Sequence, residues 1–542
     1  MKRVDELSFG FADAENYRRR ENKNTLNQLF IRNDALDNLC KPEISFLMGE
    51  KGTGKTAYSV YLSNNEYKNT RSSINYVRET EYQKFIALKK DKQLQLSDYS
   101  AIWKIIIMLL LSQQIKDVEG TGFLAKVSAK FSALDKAVDD YYNRAFSPEI
   151  AYAISFASEN KFSAELVHKY FKLAGEDKES IQFSESRFQM NLLYVQRRFQ
   201  DALSALKLNK NHLIFIDGID VRPSFVPFHD YLECIKGLAN AIWELNNDFF
   251  PKIRDSKGRL RAVLLIRPDI FDSIGLQNQN TKLRENSVFL DWRTTYDAHR
   301  TSELFKVTEH MLESQQVKTR EGTAAWDHYF PWNSSSAKDS YSFNLPTTSF
   351  VEFLRWSYYR PRDILTMLNL LKDMQLRSDP RAPVFSEKIF DGPDFQTAYS
   401  NYLLGEVKDH LSFYYSPDEY GLFIKFFEFL DGKNKFDYEF YVAAFKLLEE
   451  HIASTSADKP AFMATANDFL QFLYDLNVVC YFEKTDRDET LLRWCFRERE
   501  YSNISPKVKV GLEYQVFYGL AKALNVGKPL RKSSRARANG AK

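Results

Sequence analysis

Eight consecutive residues, Gly49-Glu50-Lys51-Gly52-Thr53-Gly54-Lys55-Thr56, constrain this chain more than any others. They match G-x-x-x-x-G-K-[ST] in full. The short apolar run Ile44 to Met48 precedes them, and the helical pattern TAYSVYLSNNEY follows. Strand, glycine turn and helix in that order let backbone N–H groups curl around phosphate oxygens, because glycine leaves no Cβ in the way. Lys55 would supply a point charge for the β- and γ-phosphates, and the Thr56 hydroxyl is a ligand type for magnesium. The positive end of the helix points at the same place. Gly49, Gly52, Thr53, Gly54, Lys55 and Thr56 are therefore the candidate residues for ATP with Mg2+.

A partner motif lies in HLIFIDGID. Four apolar residues deliver Asp217 to the carboxyl end of a buried strand, where a Walker B aspartate orders the water shell of magnesium. Thr56 and Asp217 are the candidate metal residues. Asp220, three residues on, could polarise an attacking water. The plainer readings are a helix cap for Asp217 and a turn cap for Asp220. Arg267 closes a further apolar strand in LLIRPDIF. It would face the γ-phosphate if that strand lies between the two Walker strands, and otherwise is a surface arginine pairing with Asp269. Arg360 and Arg362, in WSYYRPRDILTMLNLL, precede an amphipathic helix and could reach a nucleotide from a lid. Their plainer reading is the exposed start of a core helix.

Short apolar strands at 44–48, 74–77, 212–216, 262–266 and 287–290 alternate with helical stretches. That alternation predicts an α/β fold, a five-stranded parallel sheet with helices on both faces. The step of 161 positions from Thr56 to Asp217 is long for two strands of one sheet, so a helical insertion is expected at about 90–205. The expected organisation is an N-terminal helical segment at 1–40, a P-loop core at 41–296, a helical lid at 297–410 with a loop at 321–348, a winged-helix-like unit at 411–500, and a C-terminal helix with a basic tail at 501–542. The winged helix is read from three helices followed by the strands VVCYFEK and TLLRWCFRE.

With 542 residues and 44% apolar content, the chain can bury several cores. A formal charge of +3 excludes a histone-like coat and an acidic solvating chain. Four cysteines stand far apart with no C-x-x-C pair, which excludes a zinc ribbon or disulfide scaffold and fits a reducing cytosol. The most apolar run, Ile105 to Leu111, is far short of the ~20 residues a membrane span needs. The N-terminus has no signal-peptide core, so a cytoplasmic location is expected. The tail from Lys528 carries six basic residues and no acidic one. It and the winged helix are the candidate contacts for DNA. The helix NDFLQFLYDLNVV, however, is poor in basic residues.

The strand–P-loop start, the D-G-x-D form of Walker B, the R-P-D after the next strand and the R-P-R-D before a helix resemble bacterial P-loop ATPases. That group is related to the origin-recognition and STAND branches of AAA+ proteins, and phage-exclusion proteins of the Fun type belong to this neighbourhood. The opening LSFGFADAE and the closing winged helix are similar to the same group. The resemblance places Arg267 at the sensor-1 position and Arg362 at sensor-2. It implies an ATP-hydrolysing conformational switch in bacterial or prophage-encoded antiphage defence, a homo-oligomer, and a phage-derived trigger or effector partner. Val221 departs from the pattern, where many STAND proteins carry a further acidic residue. The alternatives are a DNA-binding, replication-initiator-like or transposition-associated ATPase, and a non-hydrolysing nucleotide-sensing scaffold.

Overall fold

A computed structural model describes residues 1–77, 96–119, 193, 196–197, 199–222, 226–254, 256–317, 324–333, 348–455, 458–485, 490–500 and 503–527. Most of the expected insertion, the loop 334–347 and the basic tail from 528 lie outside the described residues. The chain divides into a sheet unit, Asp13–Asn27 with Arg32–Asp291, and a helical unit, Met1–Ala12 and Gln28–Ile31 with Trp292–Lys542. The expected boundary near 296 therefore falls at Asp291. The expected N-terminal segment at 1–40 is not one piece: its residues are shared between the two units.

The sheet unit is α/β. Its strands are β1 (Phe46–Met48), β2 (Thr70–Tyr76), β3 (Asn211–Asp217), β4 (Leu260–Ile266) and β5 (Ser287–Phe289). They pair in the order β2-β3-β4-β1-β5, all parallel. Every residue of β1 and β4 is buried, which is why β1 and β4 from Ala262 onward read as apolar runs rather than as alternation; the buried Arg261 is the exception and donates to the carbonyls of Leu39 and Ile44. β4 lies between β1 and β3, so the ends of these three strands carry Gly49, Arg267 and Asp217 side by side.

The run Ile105 to Leu111 sits within a long helix, Leu96–Glu119, and every side chain of the run is buried. A helix that is apolar on all sides needs cover all round. Part of that cover is the helix Phe228–Glu244: a Cβ on Gly237 would come within 2.5 Å of the Tyr99 Cβ, so the crossing requires glycine there. Among the described residues no helix is long and apolar enough to cross a membrane.

The helical unit places Pro361–Ser378 and Pro393–Tyr414 ahead of three further helices, Pro417–Glu428, Tyr438–Thr455 and Ala466–Asp475. The expected two-strand hairpin is half of a larger sheet. β6 (Lys435–Asp437), β7 (Val479–Lys484), β8 (Thr490–Arg493) and β9 (Glu513–Val516) pair antiparallel in the order β6-β9-β7-β8. This corrects two expectations. The expected C-terminal helix after 501 is strand β9 and a short 3-10 turn, Tyr518–Leu520, among the described residues. Cys495–Glu498 is a helical turn, not the continuation of β8. The expected loop at 321–348 also contains a short helix, Ala325–Tyr329, held by the fully buried Trp326 stacked on Phe330.

Candidate phosphate-loop site

The glycine turn closes as its sequence dictates. Gly52 and Gly54 take φ of 88° and 99°, in the left-handed region that a side chain disfavours. A Cβ on Gly49 would lie 2.3 Å from the Thr53 Oγ1, and that hydroxyl donates to the Glu50 carbonyl at 2.8 Å. The helix Lys55–Asn64 starts at once. Lys55 is buried and its ammonium donates to the carbonyls of Gly49 at 2.8 Å and Glu50 at 3.2 Å. Burial pulls its pKa below the usual value, while the charges of Asp220 and then Asp217 oppose the fall and that of Arg267 adds to it.

The structure brings Thr56 and Asp217 together across 161 residues: the Thr56 hydroxyl donates to Asp217 Oδ2 at 2.8 Å. The other carboxylate oxygen accepts from the Gly218 N–H at 2.8 Å. Burial, and then the charge of Asp220, push the Asp217 carboxyl up to about 6. Gly218 has φ of 88°, and a Cβ there would lie 2.9 Å from the Val77 carbonyl. Glycine in D-G-x-D is thus set by the close approach of the chain leaving β2. The Tyr231 hydroxyl donates to the Ile219 carbonyl at 2.7 Å and pins the turn that carries Asp220. Sequence reasoning missed Tyr231. Its only signal is its place on the apolar face of the helix after the strand, which every core residue there shares. Asp220 is half-buried, and Val221 beside it is exposed.

Arg267 ends β4 with its side chain 1% exposed, so it is not the surface arginine of the plainer reading. The pairing with Asp269 is present nonetheless: Nε to Oδ1 at 3.0 Å and Nη2 to Oδ2 at 2.6 Å. The N-terminal segment also meets this unit. The 3-10 helix Ala14–Arg18 begins on an Asp13 cap, and Asn64 at the end of the P-loop helix donates to the Tyr17 carbonyl at 3.1 Å.

Arg360 and Arg362 belong to the helical unit. Arg360 is bound on two edges to the fully buried Asp363, at 2.9 and 2.7 Å, and Asp363 also accepts from the Tyr358 N–H and the Tyr402 hydroxyl. Neither arginine is the freely exposed helix start of the plainer reading. Arg362 is the more accessible, with an ion pair to Glu406 at 3.6 Å.

Thr56 and Asp217 present a hydroxyl and a carboxylate oxygen to one point. These are the hard donors that magnesium takes while keeping most of its waters, so the residues fit that ion. Lys55, at the start of the helix after β1, and Arg267, just past β4, add two cations. Together the groups can hold a polyphosphate, a divalent cation and a water near Asp220. No family model, curated protein or solved structure matches the chain.

Proposed function

We propose that this protein binds ATP with magnesium and hydrolyses it as a conformational switch. The observation that supports this most is the Thr56–Asp217 hydrogen bond, which joins the P-loop to the end of β3 at the point where a phosphate-bound cation would sit. In this reading the glycine loop turns its N–H groups toward the phosphates, and Lys55 exchanges its two carbonyl acceptors for phosphate oxygens. Asp217 is already oriented by Thr56 and Gly218. Bound magnesium would neutralise phosphate charge. Asp220 polarises the attacking water, and Arg267 stabilises charge that develops on the transferred group. β4, inserted between β1 and β3, is what gives Arg267 access to that role.

The resemblance to AAA+ and STAND ATPases extends the proposal to a role in antiphage defence, with the four-stranded sheet and three helices as a winged-helix-like output unit. No observation favours the DNA-binding alternative. The helix Ala466–Asp475 contains no Lys or Arg, and its outward residues include Asn467 and Asp468. Such a face would repel phosphates. Single-turnover hydrolysis tests the reading. Wild-type chain should convert bound ATP to ADP, and Asp220→Asn should bind ATP but turn it over at least tenfold more slowly. Binding without turnover in the wild type would leave a nucleotide-sensing scaffold. Equal rates in both would remove Asp220 from the chemistry.

A further inference from the structure

Tyr76 is the last residue of β2, and its register partner on β3 is Asp217. Partners on neighbouring parallel strands project to the same face of the sheet. Asp217 faces the P-loop helix, since it bonds Thr56, so Tyr76 faces that side too. Arg18, from the 3-10 helix packed on the P-loop helix, agrees: its guanidinium carbon lies 4.9 Å from the centroid of the Tyr76 ring.

The Tyr76 hydroxyl is shielded from solvent and has no hydrogen-bond partner among the described residues. Burial, and then the charge of Asp217, push its pKa far above the usual value, with Glu15 and Asp13 adding to the rise and Arg18 opposing it. The phenol therefore keeps its proton, and as a donor it has no acceptor among the described residues. A buried group in that state carries the cost of its lost hydration. Asp217 uses two of its acceptor positions on Thr56 and Gly218 and retains others. The hydroxyl lies within the field of this carboxylate but makes no direct bond to it. One water can span such a separation.

We propose that Tyr76 is a positioning residue of this site: its hydroxyl donates to a water anchored on Asp217 when nucleotide binds, and Arg18 holds the ring in place. The proposal rests on the ATP-hydrolysing reading.

The test is Tyr76→Phe, which keeps the ring and its contact with Arg18. Affinity for magnesium-ATP should stay within about twofold, while the single-turnover rate falls about tenfold, the loss of one water-mediated bond in the reacting complex. The unfolding midpoint of the ligand-free variant should stay level or rise, because the deleted hydroxyl has no protein partner among the described residues. A purely structural tyrosine would lower it. Arg18→Ala should slow turnover in the wild-type background and add nothing in the Tyr76→Phe background. A wild-type rate in Tyr76→Phe, or a lowered midpoint in its ligand-free form, overturns the proposal while the ATPase reading stands. Absence of binding and turnover in the wild-type chain overturns both.

Discussion

Asp217 is a buried carboxylate with a second carboxylate, Asp220, close enough to act on it. Its carboxyl is pushed up to about 6 by burial and then by Asp220, against an unfolded value near 3.8. The folded chain thus holds this proton more tightly than the unfolded chain. Stability without metal or nucleotide should therefore rise as pH falls through 6 and level off below 4. Urea denaturation at pH 7, 6, 5 and 4 should show that rise, and Asp217→Asn should flatten it. A slope unchanged in the variant would assign the titration elsewhere. Magnesium-ATP affinity should follow the opposite course and weaken below pH 6, because the metal competes with the proton. Gly218 supplies a backbone test. Its φ of 88° and the 2.9 Å approach of Val77 leave no room for a methyl group. Gly218→Ala should cost about 2 kcal/mol in chemical denaturation and disturb the Asp217–Thr56 bond. An unchanged denaturation midpoint would show that the turn has slack.

At the scale of elements, β1, β3 and β4 were legible because burial on both faces makes them largely apolar runs, whereas β2, with the half-buried residues Arg71, Ser72 and Ser73, showed only its apolar end at Ile74 to Val77. The loop glycines were legible because their conformations exclude other residues. The rest was not, for identifiable reasons. β6 and β9 are three and four residues long, and only β6 alternates exposed with buried residues, which is too little pattern to separate either from turn or helix. The order that inserts β4 between β1 and β3 comes from pairing, which no local pattern encodes. Arg360 and Arg362 stand two residues apart and look alike in sequence, yet only Arg360 is committed to the buried Asp363. Removing Arg360 leaves that carboxylate without its cation. Arg360→Ala should therefore destabilise the chain by about 3–5 kcal/mol. Arg362→Ala gives up only a partly exposed pair with Glu406 and should cost less than about 1 kcal/mol. Denaturation of both variants decides this, and the reverse ranking would refute the division of roles between the two arginines.

For the whole molecule, one phosphate would set the conformational state of the proposed switch. ATP and ADP can bias such a switch only through a contact that tells them apart. The resemblance assigns that contact to Arg362, which stands at the first turn of Pro361–Ser378 with its side chain partly exposed. Arg362→Ala should keep nucleotide binding but flatten the difference in protease protection between ATP and ADP states over 411–500. A wild-type difference in that variant would remove Arg362 from the coupling. All of this depends on the loop at Gly49–Thr56 holding nucleotide, and calorimetric titration of magnesium-ATP into wild-type and Lys55→Ala chain addresses that claim most directly. Wild-type chain should bind one equivalent, with affinity lowered when magnesium is withdrawn. Lys55→Ala should fold to the same far-UV and thermal profile with binding weakened at least tenfold. Equal affinity in the two chains, or no binding by the wild type, would contradict the account.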